Sequence, residues 1–308
     1  MEKPRHIISA RQFDDPEFLL GLFESANQME REDKFRALRD PLRGRLLATI
    51  FDEPSTRTRF SFEAAMQKLG GGVISAENMR ESSSVTKGET IADTIRIVSG
   101  YADAIAIRHY EQGTAEAAAR ISPVPIINAG DGVGEHPTQA LTDVYTIKKE
   151  LGRIGGLKIA LVGDLLNGRT IHSLLPLLCL YPGVRVELVS PWQLRLPLRH
   201  REYLLEKGVA FHEGEKLARA IEDADVVYIT RVQRERFASE EEYLKVKDSY
   251  IIDAKIADGL KEHAIIMHAL PRVNEISPEV DDNIRAAYFR QAKNGLYIRM
   301  ALLLYLLG

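Results

Sequence analysis

Short, mainly apolar runs recur along this sequence at residues 46–51, 104–107, 124–127, 159–162, 184–189, 226–229 and 264–267, each bounded by polar or glycine-containing turns. Each run has the length of a buried strand. The segments between them carry helical spacing instead: Phe62, Ala65, Met66 and Leu69, and again Ile171, Leu174, Leu175 and Leu178, stand at i, i+3, i+4 and i+7. Strands that are apolar on both faces and separated by helices imply parallel sheets covered on both sides. The pattern therefore predicts an α/β fold.

A chain of 308 residues is long enough for two such domains. A helix predicted from about residue 137 to 151 runs into Gly152, Gly155 and Gly156 and then a fresh strand, which suits a bridge between two α/β halves. The segment from Arg285 onward is helical in character, with Leu296, Met300, Leu303 and Leu307 on one face, and could pack on either half. The expected division is 1–136, joined by the C-terminal helix at about 285–308, and 137–284.

Charge narrows the function. With 41 Lys and Arg against 44 Asp and Glu, the formal charge is -3, so no global positive field draws the chain to a nucleic acid or an anionic membrane. Any anion site must be local. Cys179 is the only cysteine, which excludes an intrachain disulfide framework and a multi-cysteine metal site, and fits a reducing compartment. The N-terminal residues offer no signal-peptide core, and the apolar run 300–307 is far shorter than the ~20 residues of a membrane span. A cytoplasmic protein is expected, with no nucleic-acid or membrane partner.

In open parallel sheets, ligands bind beyond the carboxyl ends of the strands. Polar residues collect there in this sequence: Glu53-Pro54-Ser55-Thr56-Arg57-Thr58-Arg59, Arg108-His109, the stretch 128–139, Gly163-Asp164 leading to Arg169, Thr230-Arg231-Val232-Gln233, and the stretch 268–272. Ser55 to Arg59 stand between a strand and a helix. Free N–H groups of a first helical turn, Ser and Thr hydroxyls and a bidentate guanidinium favour a phosphate-like anion there. His136-Pro137-Thr138-Gln139 opens another helix, where an imidazole and an amide can orient a carbonyl and an amino group. Arg169, Arg231 and Gln233 suit a multiply anionic second ligand, although Arg231, Arg234, Glu235 and Arg236 also read as a solvated charge run or an interdomain salt-bridge set. Gly130 to Gly134 spell G-x-G-x-G rather than the dinucleotide pattern G-x-G-x-x-G. Trp192, Met66, Cys179 and His172 read as packing residues.

Taken together, Phe51-Asp52-Glu53-Pro54-Ser55-Thr56-Arg57-Thr58-Arg59, Ser84-Val85-Thr86-Lys87-Gly88-Glu89, Arg108-His109, residues 129–132 through His136-Pro137-Thr138-Gln139, Gly168-Arg169-Thr170, Thr230 to Gln233 and Leu270-Pro271-Arg272 resemble the catalytic chains of the aspartate carbamoyltransferase family. The likeness spans essentially the whole sequence. It implies two domains, each a parallel sheet flanked by helices, of the aspartate/ornithine carbamoyltransferase type. The first would bind carbamoyl phosphate and the second L-aspartate, yielding N-carbamoyl-L-aspartate and phosphate in de novo pyrimidine biosynthesis, without cofactor or metal.

The resemblance also implies roles. Ser55, Thr56, Arg57 and Thr58 would hold the phosphate; Thr56, Arg108 and His136 the carbamoyl oxygen; Gln139 and the Leu270 and Pro271 carbonyls the carbamoyl amino group. Arg169, Arg231 and Gln233, with Lys87, would bind aspartate. The family is built on a homotrimer in which Ser83 and Lys87 act in trans, and Glu53 would join Arg169 and Arg236 in domain closure. Thr56, Arg57, Lys87, Arg108 and His136 are the expected catalytic set, and a regulatory chain or multienzyme partner is left open. Three positions depart from the family pattern: Ala269 where Pro is common, Tyr110 where Pro is usual, and Asp52 in place of an aromatic or hydrophobic residue. An ornithine enzyme would carry Cys at the place of Ala269 and would not need the Arg231–Gln233 chemistry.

Overall fold

The apolar runs become the central strands of two separate parallel sheets. The computed structural model describes residues 5–78 and 89–308. Its contacts divide the chain into one unit of Met1–Leu141 with Asn294–Gly308 and a second of Thr142–Lys293.

The first unit contains α1 (Pro16–Lys34), β1 (Leu46–Phe51), α2 (Thr56–Lys68), β2 (Gly72–Glu77), α3 (Ile91–Val98), β3 (Ala104–His109), α4 (Thr114–Ile121) and β4 (Ile126–Asp131). The sheet order is β2-β1-β3-β4. Strand alternation sorts the two faces of β1. Ala48 and Ile50 join Ile105 and Ile107 in a cluster with Ile95 of α3 and Ala115 and Ala118 of α4. Thr49 points the other way, to Glu63 of α2 at 3.0 Å. Helices therefore cover both faces, as a buried parallel sheet requires.

The second unit holds most of α5 (Pro137–Leu151), then β5 (Lys158–Val162), α6 (Arg169–Leu178), β6 (Arg185–Val189), α7 (Leu198–Glu206), β7 (Ala210–Gly214), α8 (Leu217–Ile221), β8 (Val226–Ile229), α9 (Glu240–Leu244), α10 (Ala254–Gly259) and β9 (Ile265–Met267). Its order is β7-β6-β5-β8-β9. The terminal helix α11 (Tyr288–Leu307) crosses from this unit to the first at Asn294.

In each sheet the chain moves outward on one side of a central strand and then returns to its other side. The switch points lie between β1 and β3 and between β5 and β8. Each is anchored at its amino end in the same way. Asp103 accepts from Leu46 N at 2.8 Å and donates its own N–H to Leu46 O, while Asp225 does the same with Lys158 N at 2.8 Å and Lys158 O.

Several sequence expectations change. β2 and β7 lack an apolar run because both are edge strands whose side chains are mostly half-buried or exposed. β4 extends to Asp131, carrying buried polar residues that serve the loop beyond it. The last helix begins at Tyr288 rather than near Arg285, and Tyr297 through Leu303 are buried in succession, not along one stripe. Trp192 is no packing residue: it is 67% exposed, with the Arg195 guanidinium stacked 3.9 Å from its ring centre.

His172 is packed but has polar and aromatic partners. Its Nε2 lies 2.8 Å from Leu165 O, and its ring stacks on His200 with centroids 4.3 Å apart. Burial pushes its pKa down to about 4, and the nearby Arg199 cation adds to the effect. The folded chain thus resists a proton that the unfolded chain accepts near its ordinary 6.5. Stability from this group is present above pH 6.5 and is lost as pH falls toward 4, by about 3 kcal/mol. Urea unfolding of His172→Gln, which keeps an N–H donor but cannot titrate, should show a flatter decline between pH 6.5 and 4 than the native chain. An unchanged decline would show that His172 is not the group responsible.

Candidate active site

The carboxyl ends of β1 and β3 bring together the residues that the motifs single out in the first unit. Ser55 is the N-cap of α2 in extended backbone, yet its side chain makes no capping bond. The first turn therefore presents its N–H groups beside Ser55 and Thr56 hydroxyls, with the exposed Arg57 adding a cation. That is an anion cradle. Arg59 is not part of it, because its Nη1 bonds Glu77 at 2.5 Å and its Nε lies 3.6 Å from Glu63.

Arg108 is the penultimate residue of β3 and is only 8% exposed. Its Nη2 donates to Glu53 at 2.5 Å and its Nη1 to Ala129 O at 3.1 Å. The second bond depends on an irregularity in the β3–β4 pairing. Ile107 faces Asn128, but His109 faces Asp131, so one extra residue bulges from β4 and turns the Ala129 carbonyl toward the guanidinium. Main-chain bonds from Asp52 N and Glu53 N to Arg108 O complete the joint between the strand tips.

Asp131 fixes the loop leading to His136. It accepts from Glu135 N at 2.7 Å and Gly113 N at 2.9 Å, while Asn128 donates to it at 3.3 Å. Gly132, at φ 54°, passes so close to Tyr110 that a Cβ would stand 2.3 Å from its carbonyl oxygen. The glycines of this loop thus serve a turn. His136 is buried immediately before α5, and Gln139 N donates back to its carbonyl at 3.0 Å. Thr58 and Gln139 are half-buried. Glu53, expected in domain closure, bonds Arg108 within its own unit.

The second switch point builds another cationic group. Asp164 is fully buried after β5. Burial raises its pKa, while its oxygens accept from Asn167 N at 2.9 Å, the Asn167 amide and Gln233 N at 3.3 Å. Gln233 Nε2 in turn reaches Asn167 O at 2.9 Å. These bonds lace the loop that carries Arg169, at the first position of α6, to the loop that carries Arg231 and Gln233. Gly163 permits the approach, since a Cβ there would meet Thr230 O at 2.2 Å.

Arg231 is held by Glu235, with one Nη1 bond at 3.0 Å and a shorter Nη2 bond. That hydrogen-bonded pairing raises the arginine's pKa and lowers the glutamate's. Arg234 pairs with Glu240 at 2.8 Å, and Arg236 is exposed on the same short turn. Arg231 thus takes part in the charge run through Glu235 as well as standing in the anion-binding set, while Arg234 and Arg236 belong to the charge run alone.

The loop after β9 is supported by a buried polar chain. Tyr228 OH and Gln291 Nε2 both donate to Asp143, and Gln291 Oε1 accepts from His268 N. His268 Nδ1 accepts from Leu270 N at 2.7 Å, which leaves Nε2 to face Glu275 at 2.8 Å. Burial acts to raise Glu275, but the bond and charge of His268 together with main-chain N–H donors outweigh it and hold the carboxyl below its ordinary range. The Leu270–Pro271 peptide is cis, with Leu270 at φ 54° and Ala269 half-buried before it.

The sequence pattern places Asp131 and Asp164 in site loops without giving them a role, and leaves the supporting carboxylates Asp143 and Glu275 unmarked. The signal for the first pair was its placement at strand ends. Ser83 and Lys87 lie outside the described residues. The described groups suit a phosphate at α2, a polarised carbonyl near Arg108 and His136, and carboxylates at the Arg169–Arg231 loops.

Two family models cover the chain: the aspartate/ornithine carbamoyltransferase carbamoyl-P binding domain over residues 5–149 and the corresponding Asp/Orn binding domain over 155–306. The chain is 51% identical to the aspartate carbamoyltransferase catalytic subunit of Thermococcus gammatolerans, covering 99% of this chain and 98% of the relative. It is 50% identical to the chloroplastic aspartate carbamoyltransferase 2 of Pisum sativum, covering 98% and 78%. The catalytic subunit of M. jannaschii aspartate transcarbamoylase superposes with a TM-score of 0.91 at 49% identity, covering 98% and 97%. The Trypanosoma cruzi enzyme in complex with carbamoyl phosphate and aspartate does so with 0.94 at 42%, covering 99% and 98%.

The Arg108–Glu53 joint generates a stability prediction. Glu53→Leu leaves a buried guanidinium without its carboxylate and should cost about 3 kcal/mol in urea unfolding, whereas Glu53→Leu with Arg108→Met should recover much of that loss. A double variant as unstable as the sum of the singles would contradict the pairing.

Proposed function

We infer the reaction from family and site together: this chain belongs to the aspartate/ornithine carbamoyltransferase family, and it transfers the carbamoyl group of carbamoyl phosphate to L-aspartate. The products are N-carbamoyl-L-aspartate and phosphate, a step of pyrimidine synthesis. The observation that carries the choice of acceptor is the cross-tied pair of loops in the second unit, where Arg169, Arg231 and Gln233 offer cations and an amide suited to a dicarboxylate. Ornithine would bring a second amino group to those arginines.

Carbamoyl phosphate is already an activated acyl donor, so the amine attacks the carbamoyl carbon without a covalent enzyme intermediate. The C–O bond to phosphate then breaks, and the departing phosphate takes the amine proton. The protein's task is alignment and charge stabilisation. Ser55, Thr56, Arg57 and Thr58 bind the phosphate. Thr56, Arg108 and His136 donate to the developing oxyanion, and Gln139 with the Leu270 and Pro271 carbonyls holds the carbamoyl amino group. Arg57, with Lys87 of a neighbouring chain, takes charge on the leaving phosphate.

A homotrimer with Ser83 and Lys87 supplied in trans completes this reading, and the cytoplasm is its location. Exposed apolar side chains on the first unit, Phe60 of α2, Ile74 of the edge strand β2, Ile97 of α3 and Tyr101 just after it, support burial against another copy.

Assay of the purified chain with carbamoyl phosphate and either amino acid tests the acceptor. Carbamoylaspartate should form, and preferential carbamoylation of ornithine would reverse the assignment. The shared site has a separate test. Mixing inactive Lys87→Ala chains with inactive Arg57→Ala chains should restore part of the activity, because some interfaces then hold both native residues. No recovery after verified subunit exchange would indicate a self-contained site.

A further inference from the structure

Two of the three family departures, Asp52 and Tyr110, touch the same residue. His109 follows Arg108 and its side chain leaves β3 on the opposite face. Its Nε2 lies 3.5 Å from Asp52 Oδ2, and its ring centroid is 4.1 Å from that of Tyr110. The imidazole is held from behind as well. Its Nδ1 is 3.0 Å from both Glu111 N and Thr114 Oγ1. Because the Glu111 N–H can only donate, Nδ1 is the acceptor and the remaining ring proton sits on Nε2, facing Asp52. Both members are buried, with side chains 9% and 8% exposed.

The consequence concerns the loop that opens the phosphate cradle. Asp52 N and Glu53 N both donate to one acceptor, Arg108 O, at 2.9 and 3.5 Å. A single shared oxygen is a pivot, about which the loop can tilt. The side chains oppose this from opposite faces: Glu53 bonds Arg108 at 2.5 Å, and Asp52 makes a longer polar contact, 3.5 Å, with His109. Tilting would move the Glu53 carboxylate that aims Arg108 and the Ser55 backbone that opens α2.

We propose that His109 is a positioning residue for carbamoyl-phosphate use: with Asp52 it locks the turn between β1 and α2, so that Arg108 and the Ser55–Thr58 cradle keep a fixed relation. The inference rests on the reaction assigned above. It predicts an effect confined to one substrate, since neither residue belongs to the unit bearing Arg169 and Arg231.

Steady-state kinetics of Asp52→Leu, His109→Phe, the double variant and His109→Gln test it, with thermal unfolding measured alongside. Each single variant should lower kcat/KM for carbamoyl phosphate on the order of 10-fold and leave the aspartate KM within about 2-fold. The double variant should be no worse than either single one. His109→Gln, which can place an amide N–H where Nε2 stands, should recover most of the loss. Multiplicative losses, failure of His109→Gln to improve on His109→Phe, or equal losses for both substrates with a matching drop in Tm would overturn the proposal. A native chain that forms no carbamoylaspartate would overturn the assigned reaction and this inference with it, whereas normal native turnover with multiplicative losses overturns the inference alone.

Discussion

A guanidinium buried at a strand tip is the constraint around which the first unit is arranged. Arg108 is 8% exposed, and removing such a cation from water costs several kcal/mol unless charge and hydrogen bonds replace the solvent. The replacement comes from two directions, Glu53 across the β1 junction and Ala129 O from the β4 bulge. Both partners therefore have to be where they are. The β1 loop is drawn over β3, the β4 ladder gives up its register, and the same loop delivers Ser55 to the start of α2. A donor fixed in this way needs no reorganisation when charge develops opposite it.

The second unit solves a related problem with the charges exchanged. Its fixed buried ion is a carboxylate, Asp164, which the amides of Asn167 and Gln233 satisfy. The arginines stay nearer solvent, with Arg169 and Arg231 half-buried. Both sheets place these loops at a switch point and anchor the opposite strand ends with an aspartate, Asp103 or Asp225. Topology thus determines where a ligand can sit, and the buried ion determines how rigidly the loops around it are held.

This division explains what could be read from the sequence. β1, β5 and β8 were legible because burial on both faces leaves an apolar run, while β2 and β7 were not because their side chains are only partly buried. The motif residues of the site were legible because Ser55 to Thr58 and His136 to Gln139 lie close together in the chain. Their supports were not. Glu53 meets Arg108 across 55 positions and Asp164 meets Gln233 across 69, and no local pattern announces such partners. Asp52 and Tyr110 stood out in the sequence only as departures, and their shared contact with His109 appears only when the strand ends are brought together.

The near-neutral charge of -3 also acquires a physical meaning. Several arginines near the site have carboxylates of their own, but the pairs differ in exposure. The Arg108 and Glu53 side chains are 9% and 24% exposed, whereas those of Arg231 and Glu235 are 28% and 52% exposed. Separating the first pair strands a buried charge, while a solvated pair is worth at most about 1 kcal/mol and can be exchanged. Arg108 is therefore suited to act as an immobile donor, and Arg231 to give up Glu235 for another carboxylate. One residue type is thus suited to fixed polarisation in one unit and to reversible recognition in the other, and the difference lies in how deeply each partner carboxylate is buried.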